Sequence, residues 1–129
     1  MFPGADGVTI ATAGVKVVLR GLTINGQGGN NGIIMTNGAR LTVENCVISN
    51  LTNGIDVATA AIVRVTDTTI RDNVTYGLSL QNGPRATVTR TTVAGNGHIG
   101  ILVNGSIAGI TTTADIADST MDGNNNNEV

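Results

Sequence analysis

The chain has 129 residues, with seven Lys and Arg, nine Asp and Glu, and a formal net charge of −2. Gly, Asn and Thr supply 52 of the residues, charged residues only 12%, and one Tyr and one Phe are the only aromatic rings. This fits a single domain, leaves no basic run as a footprint for DNA or RNA, gives no material for a large rounded aromatic core and, at 40% apolar residues, excludes a disordered chain.

No stretch approaches the roughly 20 apolar residues that cross a bilayer. The longest apolar run, residues 15–22, is interrupted by Lys16 and Arg20. Residues 1–6 lack the basic-then-apolar order of a secretory signal. They are too short for a capping helix, and Phe2 is the one residue placed to cover the first rung. A lone Cys makes neither an internal disulfide nor a Cys-based zinc site.

In chain order, the first element is Gly7-Val8-Thr9-Ile10, with alternating pairs after it at Val17 and Leu19 and at Leu22 and Ile24. The same three elements then recur. Gly32-Ile33-Ile34-Met35 is followed by Leu41 and Val43, then Cys46 and Ile48. Gly54-Ile55-Asp56-Val57 is followed by Val63 and Val65, then Thr68 and Ile70. Gly77-Leu78-Ser79-Leu80 leads to Ala86 and Val88, then Thr91 and Val93. Gly100-Ile101-Leu102-Val103 leads to Ala114 and Ile116, then Ser119 and Met121. Steps between the glycines are 25, 22, 23 and 23 residues.

Alternation with a period of two marks strands, with one side chain in and the next out. Three short strands in about 23 residues fit one turn of a three-sided coil, and equivalent strands of successive turns pair in parallel about 4.8 Å apart. The expected architecture is all-β, a parallel solenoid of about five rungs filling residues 1–129 as one domain. The last period is about five residues longer, with a bulge or loop expected near Thr111–Thr113. Val129 falls where a further strand would begin. This leaves two readings: a fragment of a longer solenoid, or ends that stack on other copies.

The corners carry their own pattern. One row reads Gly21, Asn45, Asp67, Arg90 and Asp118, residue types that tolerate left-handed backbone, with Arg90 the exception. Another reads Asn50, Asn73, Asn96 and Asn124, four residues before each repeat glycine or its expected place. These asparagines serve as turn residues or as a ladder of amides bonded from rung to rung.

The run Leu41-Thr42-Val43-Glu44-Asn45-Cys46-Val47-Ile48-Ser49-Asn50, followed by Asn53-Gly54-Ile55-Asp56-Val57, resembles the right-handed parallel β-helix repeat proteins of bacteria, the pectate-lyase-like superfamily. The resemblance covers roughly residues 7–129 and speaks for fold far more than for activity. It implies an extracellular or cell-surface setting, an acidic polysaccharide as partner, and calcium-binding carboxylates with an Arg, or close Asp residues with a His. Neither constellation stands out here. The outward slots of the Gly-apolar strand read Thr9, Ile34, Asp56, Ser79 and Leu102, a single carboxylate among apolar and hydroxyl neighbours. No catalytic residue is assigned. Asp56 is the one weak candidate, and a plain surface Asp is the favoured reading, because sugar acid–base chemistry needs two carboxylates and its neighbours supply no second one. A polar groove of Thr36, Asp56, Ser79, Gln81 and Asn104 is the candidate binding set. No metal site and no cofactor are expected from the residues, calcium entering only through the resemblance.

Other polar residues read as structure. Arg20 with Glu44, and Asp67 with Arg90, fall in shared outward slots where opposite charges pair. Cys46 shares an inward slot with Leu22 and Thr68. His98 sits in a corner. The outward row Thr23, Thr69, Thr92 and Thr120, broken by Val47, is a single row where ice-binding faces need doubled, uninterrupted ones, and high β-propensity accounts for it. The expected function is therefore a non-catalytic structural, surface or assembly module, with end-to-end self-association. The alternatives are a carbohydrate-active enzyme or its remnant, and a passive glycan-binding module.

Overall fold

The computed structural model describes residues 4–105 and 108–125. Phe2 and Val129 lie outside the described residues, as does most of the Asn-rich tail. Among the described residues thirteen strands wind through five coils. The first coil holds β1 (Val8–Ala11), β2 (Lys16–Arg20) and the start of β3 (Thr23–Asn37). The second takes the rest of β3, β4 (Arg40–Glu44) and the start of β5 (Val47–Val57). The third holds the rest of β5, β6 (Ile62–Thr66) and β7 (Thr69–Arg71). The fourth is β8 (Tyr76–Gln81), β9 (Arg85–Thr89) and β10 (Thr92–Ala94). The fifth is β11 (Ile99–Asn104), β12 (Thr113–Ala117) and β13 (Thr120–Asp122).

Every strand pair is parallel, and the registers are those of the three repeating rows. Val17, Leu41, Val63, Ala86 and Ala114 align through β2, β4, β6, β9 and β12. Ile24, Ile48, Ile70, Val93 and Met121 align in the second row, and Val8, Ile33, Ile55, Leu78 and Ile101 in the third. The second and third rows share one sheet, because β3 and β5 run on through the corner between them. Among the described residues no helix is long and apolar enough to cross a membrane.

The core is one column of aliphatics. Ile33, Ile55, Leu78 and Ile101 have no exposed surface, and burying each such side chain contributes roughly 1.5–3 kcal/mol. The repeat glycines let the coils approach. A Cβ on Gly54 would stand 2.5 Å from the Gly77 carbonyl oxygen, and one on Gly77 would stand 2.6 Å from that of Gly100.

All five residues of the first corner row are left-handed, with φ of 70° at Gly21, 52° at Asn45, 51° at Asp67, 46° at Arg90 and 49° at Asp118. Arg90 is therefore no exception in geometry. A non-glycine residue there costs about 1–2 kcal/mol, and Arg90 is held by two bonds from its guanidinium to Asp67, at 2.8 and 3.2 Å. The next residue closes the bend. Thr68, Thr91 and Ser119 each donate a hydroxyl to the carbonyl two residues back. Buried Cys46 does the same with its thiol, to Glu44 at 3.2 Å. Cys46 thus takes a hydroxyl's place in the core.

The asparagine row forms a buried ladder, with one correction. Asn73 donates through Nδ2 to Asn96 Oδ1 at 2.9 Å, and Asn96 through Nδ2 to Asn124 Oδ1 at 2.8 Å. The same oxygens accept the backbone amides of Asn73 and Asn96, and Asn73 Oδ1 accepts that of Leu51. Asn50 is not in the ladder. It is exposed, left-handed at φ 60°, and bonded to Asn25. Ile48 to Gly54 is one residue shorter than Ile70 to Gly77, so counting back from the glycine shifts the register by one. Leu51 occupies the ladder slot, fully buried.

A second, shorter stack runs in front of the repeat glycines. Asp6 Oδ1 accepts both the amide and Nδ2 of Asn31, and Asn31 Oδ1 accepts Nδ2 of Asn53. The stack stops where Tyr76 replaces Asn, leaving Asn53 Oδ1 buried without a partner among the described residues.

Asn96→Ala strips partners from the amide and side chain of Asn73 together, and a buried polar group left unpaired costs about 1–3 kcal/mol. Urea unfolding is expected to show a loss of about 2–4 kcal/mol for Asn96→Ala, against about 1 kcal/mol or less for exposed Asn50→Ala. Equal losses would contradict this assignment of the ladder.

Candidate functional site

The outward slots of the glycine row lie in register as expected: Thr9 beside Ile34, Ile34 beside Asp56, Asp56 beside Ser79, and Ser79 beside Leu102. Strand alternation aims these side chains away from the core. Three of the five candidate residues come together. Gln81 donates Nε2 to Ser79 Oγ at 3.2 Å and, over a longer 3.5 Å, to Asp56 Oδ1. The other two do not join. Asn104 pairs in register with Gln81 through the backbone, and Thr36 is exposed near the end of β3.

Ser79 differs from its expected role. Its slot points outward, yet only 1% of its surface is exposed. The small side chain sits between the slots of Asp56 and Leu102, and Gln81 bonds its hydroxyl. It supports the cluster and does not line an open groove.

Asp56 is half-buried. Partial removal from water pushes its carboxyl above the ordinary 3.8, while the hydrogen bonds of Gln81 and Ser79 pull it back and the distant charge of Asp6 adds a small push. Water loss dominates because it penalises the charged form and neither neighbour is a cation. By contrast, the hydrogen bond and charge of the Arg90 guanidinium hold exposed Asp67 below the ordinary range.

Chemically, the cluster offers one carboxylate, one hydroxyl and one amide. Hydrolysis of a glycosidic bond uses two carboxyl groups, about 5–9.5 Å apart, and the slots beside Asp56 hold Ile34 and Ser79. Calcium takes six to eight oxygens, several of them carboxylate. The Asp56 cluster does not fit it, because the amide nitrogen of Gln81 faces the carboxylate. Among the described residues no three His, Cys, Asp or Glu side chains gather to hold a metal.

The remaining polar pairs sit where the repeat puts them. Arg20 Nε bonds Glu44 Oε2 at 2.8 Å. His98 is exposed, its ring 5.9 Å from that of Tyr76. The Thr row aligns through Thr23, Val47, Thr69, Thr92 and Thr120, a single line interrupted at Val47. Sequence reasoning does not find Gln81 as the residue that ties the cluster together. The signal is present, since an amide two residues after Ser79 on one strand shares its face.

Among comparisons with known proteins, the family model described as "right handed beta helix region" matches residues 3–128. No curated protein and no solved structure matches the chain.

A carboxyl raised in the folded state binds its proton more tightly there than in the unfolded chain. Folding therefore loses stability as pH rises from the ordinary 3.8 through the raised value. Asp56→Asn is expected to melt at a higher temperature than the unaltered chain above that window, with the gap closing below it. Melting curves across pH check this, and a gap independent of pH would contradict the burial argument.

Proposed function

The chain belongs to the right-handed β-helix family, a family named for its fold and not for a reaction, and from that premise we propose that it is a non-catalytic structural module. It acts as a rigid stack that displays its flat faces and takes further coils or copies at its ends. One observation carries this reading: the glycine-row face, where the coils align their outward side chains, holds a single carboxylate whose hydrogen bonds are made within the cluster.

The assembly part is supported by the sheet edges. β2 and β12 are the edge strands of the five-stranded sheet, and an unpaired edge is a template for another strand. A copy stacked head to tail continues the parallel rows without closing, a geometry that gives open chains instead of rings. Apolar side chains stand ready at one end in an open depression of about 280 Å³ lined by residues that include Val8, Ile10, Val15 and Val17.

A second reading, a carbohydrate-active site or its remnant, or a passive glycan site, is favoured by the raised carboxyl of Asp56, since perturbed ionisation gathers at functional sites. Thr36 and Asn104 would then extend the contact along the face.

Sedimentation over a range of concentrations tests the assembly proposal. Mass that grows with concentration in whole copies is expected, and one monomeric species throughout would overturn it. A screen against uronic-acid polymers, with and without calcium, separates the two readings. No turnover is expected. Turnover abolished by Asp56→Asn would replace the structural reading with the enzymatic one.

A further inference from the structure

The five-stranded sheet turns one face to the core and the other to solvent. Its outward slots, strand by strand from β2 to β12, hold Lys16, Val18 and Arg20; Arg40, Thr42 and Glu44; Ile62, Arg64 and Thr66; Arg85, Thr87 and Thr89; Thr113, Asp115 and Ala117. Five of the seven cations in the chain stand on this one face, whereas only two of the eight carboxylates among the described residues, Glu44 and Asp115, do. A chain of net charge −2 is thus strongly polarised. Among the described residues only Arg20 is neutralised on the face, by Glu44 at 2.8 Å. Lys16, Arg40, Arg64 and Arg85 are exposed and make no ion pair among the described residues.

The arrangement is costly for folding alone. Lys16 lies directly beside Arg40 in register, and like charges across adjacent strands destabilise a sheet. Arg40 and Arg85 flank Ile62 in the same slot, while Arg64 stands two residues along from Ile62. Between Arg40, Thr42, Ile62 and Arg64 is a depression of about 70 Å³, several times the ~10–15 Å³ of occupiable space that holds one water. That is room for one small tetrahedral anion. Two guanidinium forks and a hydroxyl suit a phosphate group, which such forks can bind through paired bonds.

A second property narrows the source of that phosphate. Val18 is 57% exposed and Ile62 49%, two of the six exposed large hydrophobics among the described residues, and both stand among the cations. The face carries no aromatic ring, so it lacks the stacking platforms that single-stranded nucleic acids use. A flat surface that mixes cations with aliphatic tips matches the anionic headgroup layer of a membrane, where phosphates meet the boundary of the hydrocarbon. We propose that this sheet face docks on an anionic phospholipid bilayer, with the depression between Arg40 and Arg64 seating a headgroup phosphate. The docking is peripheral and independent of the Asp56 cluster on the other sheet.

The test is co-sedimentation of the full chain with vesicles of phosphatidylcholine alone or mixed with phosphatidylglycerol. Binding is expected only to the mixed vesicles and is expected to fade toward 1 M salt, where screening shrinks the reach of charge to about 3 Å. Arg40→Gln and Arg64→Gln should each weaken it about fivefold. Arg71→Gln, off the face, should leave it unchanged, and thermal unfolding verifies that each variant is folded. Equal binding to neutral vesicles, no binding at low salt, or full binding by the folded double variant R40Q/R64Q would overturn the proposal. So would binding of inorganic phosphate, a polyuronate or single-stranded RNA without binding to vesicles.

Discussion

The interior of this coil depends on how one kind of buried amide is satisfied. Where the chain turns from the second row into the third, backbone N–H groups point inward, away from water. At Leu51, Asn73 and Asn96 each such N–H is met by a side-chain oxygen from the asparagine one coil further on. Apolar burial supplies most of the driving force but has no direction, and an aliphatic column alone would tolerate a slip. The amide ladder does not. It joins one residue to one residue across each step of about 4.8 Å, and a slip of one position would turn every inward side chain out. The repeat glycines are then a requirement, because coils held this close leave no room for a Cβ against the carbonyl below.

The three rows of alternating residues, their parallel pairing and even their registers are legible in the sequence, because a strand repeats its burial every two residues and a solenoid repeats each slot every coil. Two departures come from assuming that each coil is built alike. Counting from Gly54 puts Asn50 in the ladder, although the corner before that glycine is one residue short, which moves Leu51 into the slot. Parity alone opens Ser79 to solvent, and parity says nothing about the larger neighbours, Asp56, Gln81 and Leu102, that surround so small a side chain. Arg90 is the opposite case. Its residue type argues against a left-handed corner, and the carboxylate of Asp67 on the adjacent coil overrides that preference.

Chemistry is distributed over the coil by the same slot logic. Each outward position forms a line of side chains about one strand spacing apart, so charge and hydroxyl gather in rows whether or not any reaction needs them. The glycine row collects one carboxylate, and partial burial raises its proton affinity without giving it a second acid. The five-stranded sheet collects cations with exposed aliphatics between them. The two faces belong to different sheets and carry different charge patterns. This is the sense in which a fold built for repetition supplies surfaces more readily than clefts.

Amide hydrogen exchange in the native state is the most direct test of the ladder as the controlling interaction. The amides of Leu51, Asn73 and Asn96 are expected to exchange as slowly as the strand amides of Ile48, Ile70 and Val93, opening only with global unfolding. If those three corner amides exchange as fast as solvent-exposed loop positions while the strands stay protected, the ladder does not hold the coils in register and the account fails.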